Sequence, residues 1–358
     1  MLKPLRISLR VIAGLLALVL LAALAYVGYV VFSYSRIPDH QALAPEGEAS
    51  ALAQTGRAYT VVTQNLGFGA YTPDFTFFMD GGVGSRAVSP ESVRACIGEG
   101  ARTVAALSPD FVFFQEVDID SDRSYHIDER TLLSPFFESC TSVFAQNYHS
   151  AYLFYPFYEP HGASQSGLLT VSRLAVSQAS RRSLPISEGF SKFLDLDRCY
   201  SVSRVPCENG KELVLFNVHL SAYGGSDEIR TAQMTQLLSE MQAEFEKGNY
   251  AVCGGDFNHD FTGHSTQDLN GGESVDFGWA QPFPDDLLAQ TGIRRADGYQ
   301  ALVPTCRNCD VPYQEGNFTI IVDGFLVTEN VEILSVQNVD TRFSYSDHNP
   351  SVLRFLLK

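Results

Sequence analysis

The sequence predicts an α/β or α+β layered domain with β-sheets at its centre, preceded by one membrane-spanning helix. Short apolar runs rich in β-branched and aromatic residues recur between turn formers, and such runs are typical of strands. They occupy residues 59–66, 110–117, 166–173, 212–220, 249–257, 317–327 and 331–336. Residues 89–107 and 226–248 have helical periodicity instead. Strands with intervening helices indicate sheets that are covered by helices.

The N-terminal 32 residues predict a membrane anchor. Residues 1–10 contain Lys3, Arg6 and Arg10 and no acidic residue, and residues 11–32 contain no charge. At about 1.5 Å per residue, this run is long enough to cross a hydrocarbon core of about 30 Å. The positive-inside rule places residues 1–10 in the cytoplasm. We therefore expect a single-pass protein of the cell membrane whose remaining residues are extracellular.

A cleaved signal peptide is the alternative for this run. Ala23-Leu24-Ala25 resembles a cleavage site, but the apolar run continues past it to residue 32. Residues 33–57 are polar, rich in Ala and Pro and without sustained periodicity, which is typical of a linker. The folded domain is expected over residues 58–358.

The charge of the chain restricts how it meets an anionic substrate. The net charge is -16, and without the three basic residues of the first 32 it is -19, from 22 basic and 41 acidic residues. Such a surface does not attract a polyanion by charge alone. If the substrate carries phosphate, a bound cation must offset the repulsion locally. Alternatively, the acidity only keeps an exported domain soluble.

The seven cysteines contain one CxxC pair, Cys306 and Cys309. No second CxxC and no HxxxH follows, so a structural zinc site is not expected. In a domain outside the membrane, a local disulfide between these two cysteines is the expected arrangement.

Polar residues interrupt or follow the apolar runs at recurring points. They are Asn65, Glu116, His219, Asp256, Asn258, Asp323, Asp347 and His348. Taken singly, each has a simpler explanation, such as a turn or a satisfied polar group, and Asp323-Gly324 is a common turn dipeptide. A buried polar group without a partner costs about 1 to 3 kcal/mol. Because strand ends collect in one crevice of a sheet, we expect these side chains to converge on a site.

The motifs around these residues resemble the endonuclease/exonuclease/phosphatase superfamily. In order, they are NLG, QEVD, NVHLSAY, GGDFNHD, IVDGF and SDHNPSV. This superfamily includes pancreatic-type deoxyribonucleases, abasic-site endonucleases, bacterial sphingomyelinases and inositol polyphosphate 5-phosphatases. The resemblance covers Tyr59 to the C-terminus. It implies a four-layered α/β sandwich, in which two packed mixed β-sheets are flanked by helices.

The resemblance also implies a metal site. Glu116 would be the main ligand of Mg²⁺, with Mn²⁺ as the other possibility; Mg²⁺ prefers oxygen and bridges to phosphate. Asn65 would lie beside the ion, directly or through water, and Asp347 would approach it from the other side.

The implied acid-base group is His348, held by Asp323. His348 would take the proton of the attacking water or stabilise the transition state. Asp256 would position the nucleophile or assist the leaving oxygen, while Asn258 and His219 would donate hydrogen bonds to the phosphoryl oxygens.

The stretch CGGDFNHD, residues 253–260, presents Asp256, Asn258 and Asp260 at a spacing of two. In an extended strand such residues face one side, so Asp256 and Asn258 would point at one phosphate while Phe257 enters the core. The preceding Gly pair would allow close approach. Asp260 is expected to be a turn residue.

Substrate specificity is expected in the segments between the motifs. Residues 67–89 and 144–161 are aromatic-rich and are expected to form loops, which would stack a base, pack against a lipid or sugar, or form loop cores. The candidate phosphate clamps are Arg123, Arg130, Arg173 and the pair Arg181-Arg182, of which the pair is expected to face solvent.

Three substrate classes follow, and the membrane context favours the first: a phospholipid or head group, a nucleic acid, or a soluble sugar or inositol phosphate. No obligate protein partner is inferred. A catalytically silent receptor module is the alternative from another class, but each required position has the expected residue type. A serine hydrolase is excluded because no GxSxG occurs.

Overall fold

The computed structural model describes residues 2–189, 192, 197–222, 226–272, 279 and 281–358. The helices are α1 Leu2–Ser33, α2 Pro90–Ala106, α3 Arg130–Leu133, α4 Asp227–Glu246, α5 Ser265–Leu269 and α6 Asp285–Leu288. The strands are β1 Gln41–Leu43, β2 Ala58–Asn65, β3 Phe111–Asp118, β4 Thr141–Leu153, β5 Gly162–Ser172, β6 Gln178–Ser183, β7 Cys199–Pro206, β8 Glu212–His219, β9 Tyr250–Asp256, β10 His259–Asp260, β11 Gln281–Pro282, β12 Ile293–Arg295, β13 Cys306–Arg307, β14 Thr319–Ile320, β15 Asp323–Thr328, β16 Val331–Asn338 and β17 Ser351–Leu357.

Two large sheets form the centre of the domain. The six-stranded sheet has the order β16-β17-β2-β3-β5-β4, and the seven-stranded sheet has the order β1-β6-β7-β8-β9-β15-β12. Strands β2 and β3 are parallel, as are β8 and β9, while their outer neighbours β17 and β7 pair antiparallel to them. Both sheets are therefore mixed, as predicted.

Three apolar layers separate the sheets and helices. Between the sheets lie inward side chains such as Val61 and Phe113 from the six-stranded sheet and Leu215 from the seven-stranded sheet. The outer face of the first sheet packs on α2, and that of the second packs on α4. The order helix, sheet, sheet, helix confirms the four-layered sandwich.

The two packed helices begin where the sequence predicts. Ser89 accepts a hydrogen bond from the backbone nitrogen of Ser92 and caps α2, and Ser226 caps α4 through Ile229. Such caps satisfy backbone donors that have no partner within the helix.

The N-terminal apolar run forms one continuous helix, α1, which also includes the basic residues before position 11. Its segment Pro4–Ser33 is long and apolar enough to cross a membrane. By these properties it could be a membrane anchor or a signal sequence.

Residues 33–57 are not the free linker that their composition predicts. Gln41–Leu43 add an edge strand to β6, and Ala53 is buried against Cys207. Main-chain pairing holds this segment, and three residues of strand are too short to produce a periodic pattern in the sequence.

Residues 144–161 are likewise not all loop. Strand β4 extends to Leu153 and pairs with β5 down to Gly162, with register shifts after Gln146 and Ser150. The aromatic residues up to position 153 therefore belong to an edge strand, and only the following residues leave the sheet.

Candidate active site

The sheets bring all eight candidate residues to one cavity or to its immediate support. Glu116, His219, Asp256, Asn258, Asp347 and His348 line a cavity of about 500 Å³. Asn65 and Asp323 contact these residues through hydrogen bonds. Asn65 ends β2, His219 ends β8 and Asp256 ends β9, so the site lies where neighbouring strands end, as the sequence predicts.

We call Asn65, Glu116 and Asp347 the carboxylate half of the site. A register shift between Phe114 and Val117 in the ladder with β5 accompanies a positive φ of 54° at Glu116. Such a bulge redirects a side chain away from the alternation of its strand. The Nδ2 of Asn65 donates to Glu116 Oε1 at 3.2 Å, so Asn65 holds this carboxylate in place.

Asp347 lies beside Gly67, whose conformation is required there. Gly67 has a φ of 53°, and a Cβ on it would lie 2.9 Å from Asp347 Oδ1. Burial raises the pKa of Asp347 to about 7; His348 lowers it, Glu116 raises it and Arg307 lowers it. The protein thus places a carboxylate where its charge is unfavourable.

The carboxylate half fits a hard divalent cation. Glu116 and Asp347 offer oxygen donors, which Mg²⁺ and Mn²⁺ prefer, and a cation would offset their mutual repulsion. Asp347 also belongs to a group of potential ligand atoms with Cys306 and His348, all within 4.8 Å of one another. Because Asn65 directs its amide nitrogen to Glu116, contact of Asn65 with the ion through water fits this arrangement better than direct ligation.

We call His219, Asp256, Asn258, Asp323 and His348 the imidazole half. His348 Nδ1 lies 2.7 Å from Asp323 Oδ2, and its Nε2 lies 3.8 Å from Asp256 Oδ2. The backbone nitrogen of Asp323 donates to Thr305 Oγ1 at 3.0 Å. Asp323 pairs with Asp256 across β15 and β9, which fixes both carboxylates around the same ring.

Charge and burial set the protonation of this half. Burial alone would lower the pKa of His348, but Asp323, Cys306 and Asp347 raise it well above its ordinary value. Burial lowers the pKa of His219 well below its ordinary value, and Arg198 adds to this. These surroundings favour the protonated form of His348 and the neutral form of His219.

Asp256 joins the two halves. Its Oδ2 accepts from Asn65 Nδ2 at 3.1 Å and lies 3.4 Å from His219 Nε2. Burial raises the pKa of Asp256 to about 7, His348 lowers it and Asp323 raises it. The carboxylate of Asp256 thus contacts both the amide of Asn65, which holds Glu116, and the imidazole of His219.

Asn258 reaches the cavity for a different reason from the predicted one. Strand β9 ends at Asp256, and Asn258 has a φ of 51°, so strand alternation does not place it. Its backbone nitrogen donates to Asp256 Oδ1 and its Nδ2 to Leu220 O, both at 2.9 Å. Phe257 is fully buried, as predicted.

The neighbouring glycine and aspartate behave as predicted. A Cβ on Gly255 would lie 2.0 Å from Val218 O, so the glycine permits close approach of the backbones. Asp260 ends strand β10, and its Oδ1 accepts hydrogen bonds from Gly263 N and Ser265 N, so its side chain holds the turn that follows.

Three arginines also line the cavity: Arg123, Arg198 and Arg307. Arg123 was a candidate clamp; it makes two hydrogen bonds to Asp118, at 3.0 and 2.8 Å. No pattern in the sequence singles out Arg198 or Arg307, although Arg307 lies inside the CxxC motif. Together with His348 they supply local positive charge in an acidic domain.

The other candidate clamps bind elsewhere. Arg130 pairs with Asp128, and Arg173 donates to Pro109 O. Arg181 is fully buried and donates to Gln146 O and Asp197 O. The expectation that it faces solvent is wrong, because backbone acceptors satisfy its guanidinium inside the protein.

The expected disulfide between Cys306 and Cys309 is also wrong, since both are free thiols. Cys306 Sγ donates to Arg307 O, and Cys309 Sγ lies 4.0 Å from Asp347 Oδ2. Burial raises the pKa of Cys306 to about 12. The CxxC motif thus contributes one buried thiol, Cys306, to the cavity wall and a second, Cys309, beside Asp347, positions that its spacing does not reveal.

Comparison with known proteins agrees with this geometry. Residues 80–348 match the Endonuclease/Exonuclease/phosphatase family. This match spans more than half of the chain, and the chain belongs to that family. Members of the family are phosphoesterases that generally depend on a divalent metal, which supports a phosphoester hydrolase. A search of curated protein sequences finds no match.

Solved structures share the fold at low identity. An endonuclease/exonuclease/phosphatase from Beutenbergia cavernae DSM 12333 is 17% identical with a TM-score of 0.55, covering 84% of this chain and 72% of that one. ANGEL2, a 2',3'-cyclic phosphatase, is 13% identical with a TM-score of 0.51, covering 90% and 99%. The human Nocturnin catalytic domain with bound sulfate is 16% identical with a TM-score of 0.51, covering 88% and 98%.

Proposed function

We propose that this protein is a Mg²⁺- or Mn²⁺-dependent phosphoric ester hydrolase at the outer face of the cell membrane, with a phospholipid or head-group phosphodiester as its favoured substrate. The observation that carries the proposal is the meeting of the two halves in one cavity. Glu116 and Asp347 offer oxygen ligands there, and His348 is held by Asp323 at 2.7 Å.

The bound ion would neutralise charge on a phosphoryl oxygen. Glu116 and Asp347 would hold it, and Asn65 keeps Glu116 in position. A cation bound in the carboxylate half would also offset the electrostatic repulsion between an acidic domain and a phosphate.

His348 acts in this proposal as a cation that stabilises charge on the phosphoryl group. Its raised pKa favours this role over that of a general base. Asp256 orients the attacking water and accepts its proton, because its Oδ2 lies within reach of Asn65 and His219 and burial raises its pKa to about 7. Neutral His219 and Asn258 contact phosphoryl oxygens from the same side of the cavity.

The substrate class rests on the location of the site and on the shape of the cavity. Helix α1, if retained as an anchor, keeps the domain beside phospholipid head groups. Part of the cavity wall is apolar and aromatic, including Phe77, Phe78 and Leu153, which suits an ester with an apolar portion. A nuclease and a sugar or inositol phosphate phosphatase are the alternatives.

The test is ester hydrolysis by the full chain in detergent, with Mg²⁺, Mn²⁺ or EDTA. Sphingomyelin, other phospholipids, plasmid DNA and inositol phosphates are assayed in parallel. We expect metal-dependent hydrolysis of a phospholipid class. Hydrolysis of DNA alone, or of inositol phosphates alone, would transfer the assignment to that class, and metal-independent hydrolysis would contradict the proposed chemistry.

A further inference from the structure

An exposed aromatic segment follows strand β4 beside the cavity. We define the aromatic segment as residues 152–158. Phe154, Tyr155, Phe157 and Tyr158 have exposed fractions of 48%, 64%, 84% and 69%. A contiguous exposed apolar patch of this kind marks a surface that contacts a partner or a membrane.

The aromatic segment contacts helix α1 directly. Tyr26 Oη donates to Tyr152 O at 3.1 Å and accepts from Phe154 N at 3.3 Å. Tyr152 N donates to Tyr29 Oη at 3.1 Å. The rings of Tyr26 and Phe154 meet edge to face, with centroids 5.2 Å apart. The end of the apolar helix and the aromatic segment therefore form one continuous surface.

The position of Tyr26 along α1 indicates how deep this surface would lie in a bilayer that α1 spans. Tyr26 precedes the last helical residue, Ser33, by seven positions, which is about 10 Å at about 1.5 Å per residue. The head-group region on one side of a bilayer is about 5 to 7 Å thick. If Ser33 lies at the outer edge of the head groups, Tyr26 lies close to the hydrocarbon boundary. Tyrosine is enriched at that level.

The same segment reaches the active-site cavity. Leu153 and Tyr155 line the cavity together with Phe78, and the rings of Phe78 and Tyr155 are 5.7 Å apart. Asp347 and His348 line the same cavity. An apolar route thus leads from the surface beside α1 to the polar site.

We propose that the aromatic segment lies in the head-group layer and contacts lipid, so that the cavity receives an amphiphilic phosphodiester directly from the bilayer. The phosphate faces His348 and Asp347, and the apolar portion packs against Phe78 and Tyr155. The inference rests on the proposed function and on retention of α1 as an anchor, and it identifies the bilayer as the partner of this surface.

Tryptophan quenching tests the membrane contact without an activity measurement. The full chain is reconstituted in phosphatidylcholine vesicles with brominated acyl chains, as Phe157→Trp and, for control, as Leu334→Trp. Leu334 is 41% exposed and lies on β16, at the opposite edge of the sheet from β4. The signal of Trp279, the one natural tryptophan, is subtracted. We expect quenching at position 157 and none at position 334.

Hydrolysis tests the route to the cavity. Phe157→Ser is expected to lower turnover of a long-chain phospholipid in vesicles by about three- to tenfold, because it removes one apolar contact with the bilayer. It should leave turnover of a short-chain, water-soluble phosphodiester unchanged, since Phe157 is not among the cavity-lining residues. Leu334→Ser should change neither rate.

The outcomes separate this inference from the proposed function. If the tryptophan fluorescence of Phe157→Trp is not quenched while hydrolysis is intact, the membrane contact is overturned and the hydrolase assignment stands. This holds even if another protein covers the aromatic segment. Equal loss of vesicle and soluble turnover in Phe157→Ser would also overturn it. Quenching without hydrolysis of any ester would support the membrane contact and overturn the hydrolase.

Discussion

The carboxylate half and the imidazole half of the site differ in how their negative charges are balanced. In the carboxylate half, burial raises the pKa of Asp347, and the charge of Glu116 adds to this. In the imidazole half, Asp323 and Asp256 both face the ring of His348, at 2.7 and 3.8 Å, and burial favours the neutral form of His219. The first half has no cationic side chain of its own and leaves its negative charge for an ion, whereas the second offsets part of its negative charge with His348.

Hydrogen bonds of three amide side chains connect the two halves of the site and the two sheets. Asn65 Nδ2 contacts both Glu116 and Asp256. Deeper between the sheets, Gln115 Nε2 on β3 donates to Asn217 Oδ1 on β8 at 2.8 Å. Buried polar contacts of this kind fix the position of one sheet relative to the other. Substitutions in the carboxylate half, in the imidazole half and at the Gln115–Asn217 link between the sheets should therefore affect rate and stability differently.

The largest effect is expected from His348→Ala. Loss of the cationic ring removes the charge that would stabilise the phosphoryl group, and the rate should fall at least about a hundredfold. Initial rates on a soluble phosphodiester at saturating Mg²⁺ measure this. His264→Ala, at an exposed histidine paired with Asp268, is the control and should retain its rate. Retained activity in His348→Ala would exclude the proposed mechanism.

A smaller effect is expected from Asp323→Asn, which keeps the shape but removes the charge beside His348. The rate should fall about tenfold to a hundredfold. Asp323 raises the pKa of His348, so its removal lowers that pKa and His348 loses its proton at lower pH. The alkaline limb of the pH-rate profile should therefore move to lower pH. An unmoved limb would show that His348 does not act as a cation.

The sequence predicted eight polar residues that the structure brings together, but it did not predict the whole cavity wall or all of the geometry. Polar residues at strand ends, such as Asn65 and His219, stand out against apolar runs, and the structure brings them together. Asn258 was found for the wrong reason, because its positive φ follows from local hydrogen bonds rather than from strand alternation. Arg198 and Arg307 were missed, because no pattern in the sequence around them separates an arginine in a cavity wall from one on the surface.

Parts of the fold were hidden for similar reasons. The pairing of Gln41–Leu43 uses main-chain groups, which every sequence has. Arg181 is satisfied inside the protein by distant carbonyls such as Gln146 O, and their approach depends on tertiary structure. The free thiols of Cys306 and Cys309 show that motif spacing alone does not decide a disulfide.

The carboxylate half should lower stability when no metal is present. The folded-state pKa of Asp347 is about 7, against an ordinary value of 3.8, so the native state binds more protons between these values and stability falls as pH rises through them. In EDTA at pH 8, Asp347→Asn should raise the free energy of unfolding by about 1 to 2 kcal/mol.

This gain should vanish below about pH 4, where the carboxyl is protonated in both states. Urea unfolding across pH measures it, and Asp286→Asn, at an exposed aspartate, is the control. Added Mg²⁺ should stabilise the natural protein and not Asp347→Asn. A variant less stable than the natural protein at pH 8 in EDTA would contradict the charge excess.

The smallest effect on turnover is expected at the link between the sheets. Asn217→Leu removes the acceptor of Gln115, which keeps its contact with Thr63 Oγ1. Because Asn217 Nδ2 also donates to Phe114 O and Leu169 O, the free energy of unfolding should fall by about 1 to 3 kcal/mol, and turnover should fall a few-fold through misplacement of both halves together. If metal affinity and maximal rate fall by the same factor, the result would support misplacement of both halves together. If only the metal affinity or only the maximal rate falls, the two halves are positioned independently.

The most direct test of the division between the halves is a metal titration of the hydrolysis rate in three proteins: the natural chain, Glu116→Gln and His348→Ala. We predict that Glu116→Gln raises the Mg²⁺ concentration for half-maximal rate at least about tenfold, because it removes an anionic ligand. We predict that His348→Ala leaves that concentration unchanged and lowers only the maximal rate. An unchanged Mg²⁺ dependence in Glu116→Gln, or a rate that does not depend on metal in the natural chain, would contradict the assignment of the ion to the carboxylate half.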